Sequence, residues 1–196
     1  MLTAIEITRS VYGAWRLAHA DPAGMQFFDT TVEGFWRSFR LAPLVLPAYL
    51  LMLWIGRTTM TVGIGAPAAG SWIAITAIDV IAYAISWLAF PLAAYYLAET
   101  LDREREYFGY IVAFNWSSAV VQVGVSLPVA AITGLSLLPP PVDVLLQFGV
   151  VAALLAYSWF IAKTALRIGG LAAGGLVVLE VLISLLISGV SDAMVR

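Results

Sequence analysis

The sequence contains no cysteine and only one histidine, His19. The lack of cysteine excludes a disulfide framework, a thiolate nucleophile and a cysteine metal site. One histidine in an N-terminal segment excludes the paired histidines of zinc hydrolases, and the chain has no G-x-S-x-G sequence either. We therefore predict that the protein is not an enzyme and that it holds no cofactor or metal ion.

Charge is also scarce. Only 11% of the 196 residues are charged, against about 25% in typical soluble domains. The net charge of −2 argues against a nucleic-acid partner bound through a general electrostatic field. Hydrophobic residues make up 62% of the chain, and its mean hydropathy is +0.94. This composition places the chain in a lipid bilayer.

Long apolar runs divide the chain into about five segments. Lipid offers no hydrogen-bond partners, so continuous runs of this kind must be helices. We predict an all-α bundle of about five transmembrane helices in residues 41–196, preceded by amphipathic surface helices in residues 1–40. The expected spans cover residues 41–56, 71–98, 110–138, 144–162 and 168–190.

Three features complicate these spans. The first run has 16 residues, about 24 Å of helix, which is short for a bilayer, so we expect it to begin nearer Trp36. Pro43 and Pro47 are candidates for kinks, and Pro128 either tilts or breaks the third span. The Gly- and Ala-rich connection at residues 57–70 either lies on the surface or dips into the bilayer.

The N-terminal segment combines apolar rings with arginines. Residues 4–18 place Ile5, Tyr12 and Trp15 on one face of a helix. Such a mixture suits the headgroup layer, with rings at the boundary and arginines reaching toward water. The segment is either a surface lead-in to the first span or a docking site for a partner. Its predicted interfacial anchors are Trp15, Phe35, Trp36, Arg37 and Arg40.

The basic residues suggest an orientation. If the N-terminus is cytoplasmic, eight of the ten Lys and Arg residues fall inside and two outside. Positive charge is enriched on the cytoplasmic side of membrane proteins. We therefore predict an integral protein of a bacterial inner membrane, with its N-terminus in the cytoplasm and its C-terminus outside.

Polar residues recur at helical spacing inside the apolar spans, and a polar stripe facing lipid would be costly. We therefore expect an intramembrane cluster in the bundle interior, consisting of Asp79, Tyr83, Asn115, Gln122 and Glu180. Asp79 lies about 12 Å and Glu180 about 15 Å from the outer ends of their predicted spans, so the two carboxyls can meet. We expect Glu180 to be protonated and hydrogen-bonded to Asp79 or Gln122. The cluster either stabilises the bundle through hydrogen bonds between helices or forms a proton or ion site.

The five-span layout resembles the Yip family of membrane proteins, particularly its bacterial members. The similarity covers the spans rather than the first 40 residues, and it includes the charged turn "DREREYFGY" and the turn "KTALRIGG". It implies membrane organisation or partner binding more readily than catalysis. No site residue follows from it, because no diagnostic motif matches residue by residue.

Two functions follow as hypotheses. The first is a non-enzymatic membrane scaffold or accessory subunit, whose partners are the lipid bilayer and another membrane protein or a second copy of the chain. The alternative is a small transporter or proton-conducting protein that uses Asp79 and Glu180.

Overall fold

A computed structural model of the chain describes residues 2–60 and 69–195, and within them the secondary structure is entirely helical. The described residues form a 3₁₀ helix at Pro22–Phe27, a π-helical segment at Gln122–Ser126 and eight α-helices. They are α1 (Ala4–Ala18), α2 (Val32–Ser38), α3 (Leu41–Met60), α4 (Ala69–Thr100), α5 (Glu104–Val121), α6 (Leu127–Gly134), α7 (Pro140–Ala165) and α8 (Gly170–Val195).

Five helical stretches are long and apolar enough to cross a membrane, which confirms the predicted fold class. They run over Val32–Arg57, Trp72–Thr100, Glu104–Gly134, Pro140–Ala165 and Gly170–Met194. The first begins before Leu41 because α2 and α3 follow each other almost directly. In the connection predicted at residues 57–70, α3 continues to Met60 and α4 begins at Ala69. Residues 61–68, and with them the prediction of a membrane dip, lie outside the described residues.

The third span is interrupted by a π turn at its proline. Pro128 has no N–H to donate to the carbonyl four residues earlier, so a regular α-helix loses a hydrogen bond there. The chain inserts the π segment just before this proline, and the Leu127 N–H donates to the Gln122 carbonyl, five residues back. The span therefore continues through Pro128 rather than breaking. In α3, Pro47 likewise lies inside an unbroken helix.

The N-terminal segment packs on the bundle. The buried face of α1 consists of Ser10, Gly13, Ala14 and Leu17. The Tyr157 hydroxyl of α7 donates to the Ala14 carbonyl at 2.8 Å. This face lies against α5 and α7, so α1 is part of the folded bundle.

The opposite face of α1 is exposed. Ile5, Tyr12 and Trp15 have 73%, 49% and 60% of their surface accessible, and Trp36 of α2 is also exposed. These are the apolar side chains that the sequence places at the headgroup layer. A helix that packs by its small residues and presents its rings outward suits a membrane surface.

Phe35 and Arg37 differ from the predicted anchors. Phe35 is only 8% exposed and contacts the rings of Phe39 and Phe108, so it belongs to the core. The Arg37 guanidinium pairs with the carboxylates of Asp29, Glu6 and Glu33 instead of reaching into water. Phe35 packs the N-terminal segment against α5, whereas Arg37 links parts of that segment to one another. Arg40 is exposed.

Three parts of the chain lie at one end of the bundle: the N-terminal segment, the turn between α4 and α5, and the turn between α7 and α8. A cleft there brings Met25 and Thr30 together with Arg105 and Arg167. We call this end the basic end and the opposite one the distal end. The five-span prediction requires that these segments lie on the same side of the membrane, and here they lie at the same end of the bundle. The basic end carries Arg9, Arg16, Arg37, Arg40, Arg103, Arg105, Lys163 and Arg167.

Candidate functional site

Glu180 of α8 lines a cavity of about 280 Å³ inside the bundle. Four of the five residues predicted to form the intramembrane cluster share this cavity: Tyr83, Asn115, Gln122 and Glu180. They come from three helical stretches, α4, the α5–π region and α8. The helical spacing of polar residues along each span is the pattern that groups these side chains on inward faces.

Glu180 is the only acidic or basic residue in the cavity lining. Glu180 is half-buried. No cationic side chain in the described part of the chain forms an ion pair with it. A carboxyl in such surroundings is stable either in its protonated form or as a carboxylate whose charge an adjacent cation compensates.

The other polar side chains of the cavity are held by specific contacts. Asn115 Nδ2 donates to Ser38 Oγ at 2.9 Å, and the Tyr83 hydroxyl donates to the Ala42 carbonyl at 2.8 Å. Gln122 Nε2 lies 3.4 Å from the Met52 sulfur. The side chains of Tyr83 and Asn115 are thereby fixed before any ligand binds.

Asp79 does not join this cavity. Its carboxylate, 5% exposed, accepts two hydrogen bonds from the Arg57 guanidinium at 2.5 and 2.8 Å. The expectation that the Asp79 and Glu180 carboxyls meet is therefore wrong, because Asp79 pairs with Arg57. Asp79 has its charge compensated within the protein, whereas Glu180 does not.

A second cavity of about 250 Å³ holds the Arg57–Asp79 pair together with Asp192 near the distal end. Along the bundle axis, Asp79 is thus level with Asp192, while Glu180 is level with Phe90. Asp79 and Phe90 are 11 residues apart on α4, or about 16 Å along the helix axis. The two carboxyls are too far apart in height to share a hydrogen bond.

A pair of tyrosine rings separates the two cavities. Tyr49 and Tyr83 line both, with their ring centroids 4.7 Å apart. Ser86 and Ser184 also line both cavities. The polar route from the distal end to Glu180 therefore passes this aromatic pair.

A packed layer lies between Glu180 and the basic end. Ala94, Ala98, Tyr107 and Leu176 are each at most 5% exposed, and the Tyr107 hydroxyl donates to the Pro91 carbonyl. This layer closes the Glu180 cavity on the basic side.

The cavity combines one carboxyl with aromatic faces and polar groups. Among the described residues no three His, Cys, Asp or Glu side chains come together as a metal site. A carboxylate beside Trp87 and Phe90 can bind a cationic group through charge and through ring faces, with hydroxyls and amides to orient it.

No family model matches the chain, and neither the curated proteins nor the solved structures contain a match to it.

Proposed function

We propose that the protein is a small transporter that binds a cationic solute at Glu180. The observation that supports this most is the single carboxyl in a cavity whose other lining side chains are uncharged. An intramembrane ionisable group is expensive and usually belongs to a site or pathway. Interhelical hydrogen bonds alone would leave the charge of an ionised Glu180 uncompensated, since no cationic side chain among the described residues pairs with it.

The lining favours a small organic ammonium ion as cargo. Trp87, Phe90 and Phe114 stand in the same cavity as the carboxyl, and ring faces attract ammonium groups once these leave water. A volume of about 280 Å³ suits a solute of a few heavy atoms, at the small end of ligand pockets.

The transport step follows from charge compensation. In the empty cavity the Glu180 carboxyl holds a proton, and an arriving cation takes the place of that proton. The solute enters from the distal end past Tyr49 and Tyr83. For release on the other side, the layer that includes Ala94 and Tyr107 has to open.

Proteoliposomes test this proposal. Purified protein should take up methylammonium or tetramethylammonium with a matching proton countermovement, and Glu180→Gln should abolish the uptake while the protein folds normally. Glu104→Gln, an exposed carboxyl at the start of α5, is the matched control and should retain uptake. Equal uptake by Glu180→Gln and the unaltered chain would refute the role of this carboxyl. Proton flux without any effect of the amines would favour the proton-conducting alternative.

We also propose that the basic end faces the cytoplasm of a bacterial cell. The excess of Lys and Arg at this end supports that orientation. A cysteine introduced at exposed Asp192 should react with an impermeant reagent added to intact cells, and one at exposed Glu104 should not. Reversed labelling would invert the orientation.

The scaffold hypothesis stays a prediction. It rests on the family resemblance and on the exposed rings of α1, Tyr12 and Trp15. Under that hypothesis the liposomes take up no solute, and a stoichiometric membrane partner remains bound to the protein through native purification.

A further inference from the structure

A cleft of about 610 Å³ opens at the basic end, where three parts of the chain meet. The N-terminal segment supplies Met25 and Thr30, the first turns of α5 supply Arg105, and the turn after α7 supplies Arg167. This cleft lies outside the bundle cavities and has no part in the transport proposal.

The two arginines are not used inside the protein. Both are exposed, and in the described residues neither guanidinium forms an ion pair or a side-chain hydrogen bond. Three other arginines contrast with them, since Arg16, Arg37 and Arg57 are all paired with carboxylates. Two unpaired guanidiniums facing one cleft are the donors that a phosphate oxygen accepts from.

The surroundings of the cleft set its shape and charge. The first turn of α5 carries Glu104 and Glu106, which offset the positive end of the helix dipole, so the two guanidiniums are the anion-binding groups of the cleft. Arg167 follows the fully buried Leu166, which anchors this turn. One carboxyl, Glu106, also lines the cleft and offsets one of the two positive charges.

The height of the cleft identifies the source of the phosphate. The apolar span Glu104–Gly134 begins beside it, and the span Pro140–Ala165 ends beside it. Arg105 and Arg167 therefore lie at the boundary between hydrocarbon and water, where lipid headgroups are. Basic pockets between spans at this level suit anionic headgroups.

We propose that this cleft binds the phosphate group of an anionic membrane phospholipid. The guanidiniums of Arg105 and Arg167 contact the phosphate oxygens, and the acyl chains run along the outer surfaces of the adjacent spans. The site thereby attaches the N-terminal segment to the lipid and to the bundle at one point.

Native mass spectrometry of the full chain tests the site, with phosphatidylglycerol as the anionic probe and phosphatidylcholine as the zwitterionic one. The unaltered protein should retain phosphatidylglycerol selectively. A basic residue near an anionic surface contributes about fivefold in affinity, so the double variant Arg105→Gln, Arg167→Gln should lose about 25-fold. Arg9→Gln and Arg40→Gln remove exposed arginines from the same end but outside the cleft, and they should leave retention unchanged.

Glu106→Gln adds a gain-of-binding test that does not depend on the folding of the double variant. Removing this negative charge should raise retention of phosphatidylglycerol, again by about fivefold. Retention of both lipids to the same extent would overturn the proposal, as would loss of binding in the Arg9 and Arg40 controls to the same degree as in the double variant. Displacement of the lipid by millimolar inorganic phosphate would show that the cleft takes free phosphate and would also overturn it.

Discussion

Replacing Asp79 with leucine should destabilise the bundle through Arg57. The carboxylate side chain is 7% exposed and the guanidinium 28% exposed, so the pair is largely shielded from water. Removing one partner of a buried pair costs about 3–5 kcal/mol because the other charge is left uncompensated. We expect a value near the lower limit, about 3 kcal/mol for Asp79→Leu, because Arg57 retains some access to solvent.

A double-mutant cycle isolates the pair from the other contacts of Arg57. Once Arg57→Leu has removed the cation, adding Asp79→Leu should cost less than about 1 kcal/mol, since two apolar side chains then replace two charges. The measurement is the free energy of unfolding in mixed micelles, followed by circular dichroism. Asp192→Leu is the matched control, because this exposed carboxyl lines the same cavity, and its effect should stay within about 0.5 kcal/mol.

The cycle can fail in a clear way. If the two single effects add to within about 0.5 kcal/mol of the double effect, the guanidinium and the carboxylate do not interact in the folded protein. The assignment of Asp79 to Arg57 rather than to Glu180 would then be wrong.

Three further predictions concern the N-terminal segment. Trp15→Glu should speed hydrogen exchange in α1 without releasing the protein from the membrane, because the five spans supply nearly all of the anchoring; unchanged exchange would show that the ring is not in the interface. Gly34→Ala should cost about 1–3 kcal/mol in thermal unfolding, because its Cβ would overlap the Asp29 carbonyl, whereas Gly149→Ala has open space and should not destabilise; equal effects would contradict this packing. The Thr31 hydroxyl, together with the Thr31 N–H and Arg37, holds the pKa of the Asp29 carboxyl below its ordinary value of 3.8. Because the folded pKa is depressed, the stabilisation from Asp29 is present above about pH 4 and is lost as the pH falls through the folded pKa. The protection of residues 22–40 against exchange, relative to the unfolded chain, should therefore fall only in that acidic range; a loss of protection already near pH 6 would refute it.

The spans and the polar interior could be predicted from the sequence because both are periodic properties of single helices. Hydropathy located the five stretches, and the spacing of polar residues along them grouped four side chains that line one cavity, Tyr83, Asn115, Gln122 and Glu180. The pairing of Asp79 could not be predicted. It depends on how far α4 is shifted along its axis relative to α3 and α8, and no single-helix pattern contains that offset.

The N-terminal segment shows a different limit. Rings alternating with arginines suit the headgroup layer, and they also suit a segment packed on a protein, so Phe35 and Arg37 were placed wrongly. A usable signal was present in α1. Its buried residues Ser10, Gly13 and Ala14 are small and follow helical spacing, which is typical of a face that another helix approaches closely.

The contact between Tyr157 and Ala14 joins residues 143 positions apart. The N-terminal helix leaves the ribosome first, yet its partner side chain on α7 is made only after three of the spans. During synthesis, α1 packs first on the adjacent 3₁₀ helix, where Gly24 and Phe27 lie against Gly13, and then on α5 once that helix has been made. The contact with α7 forms last, so a chain truncated before Tyr157 would keep the packing of α1 on α5 but would lack the hydrogen bond that Tyr157 donates to the Ala14 carbonyl.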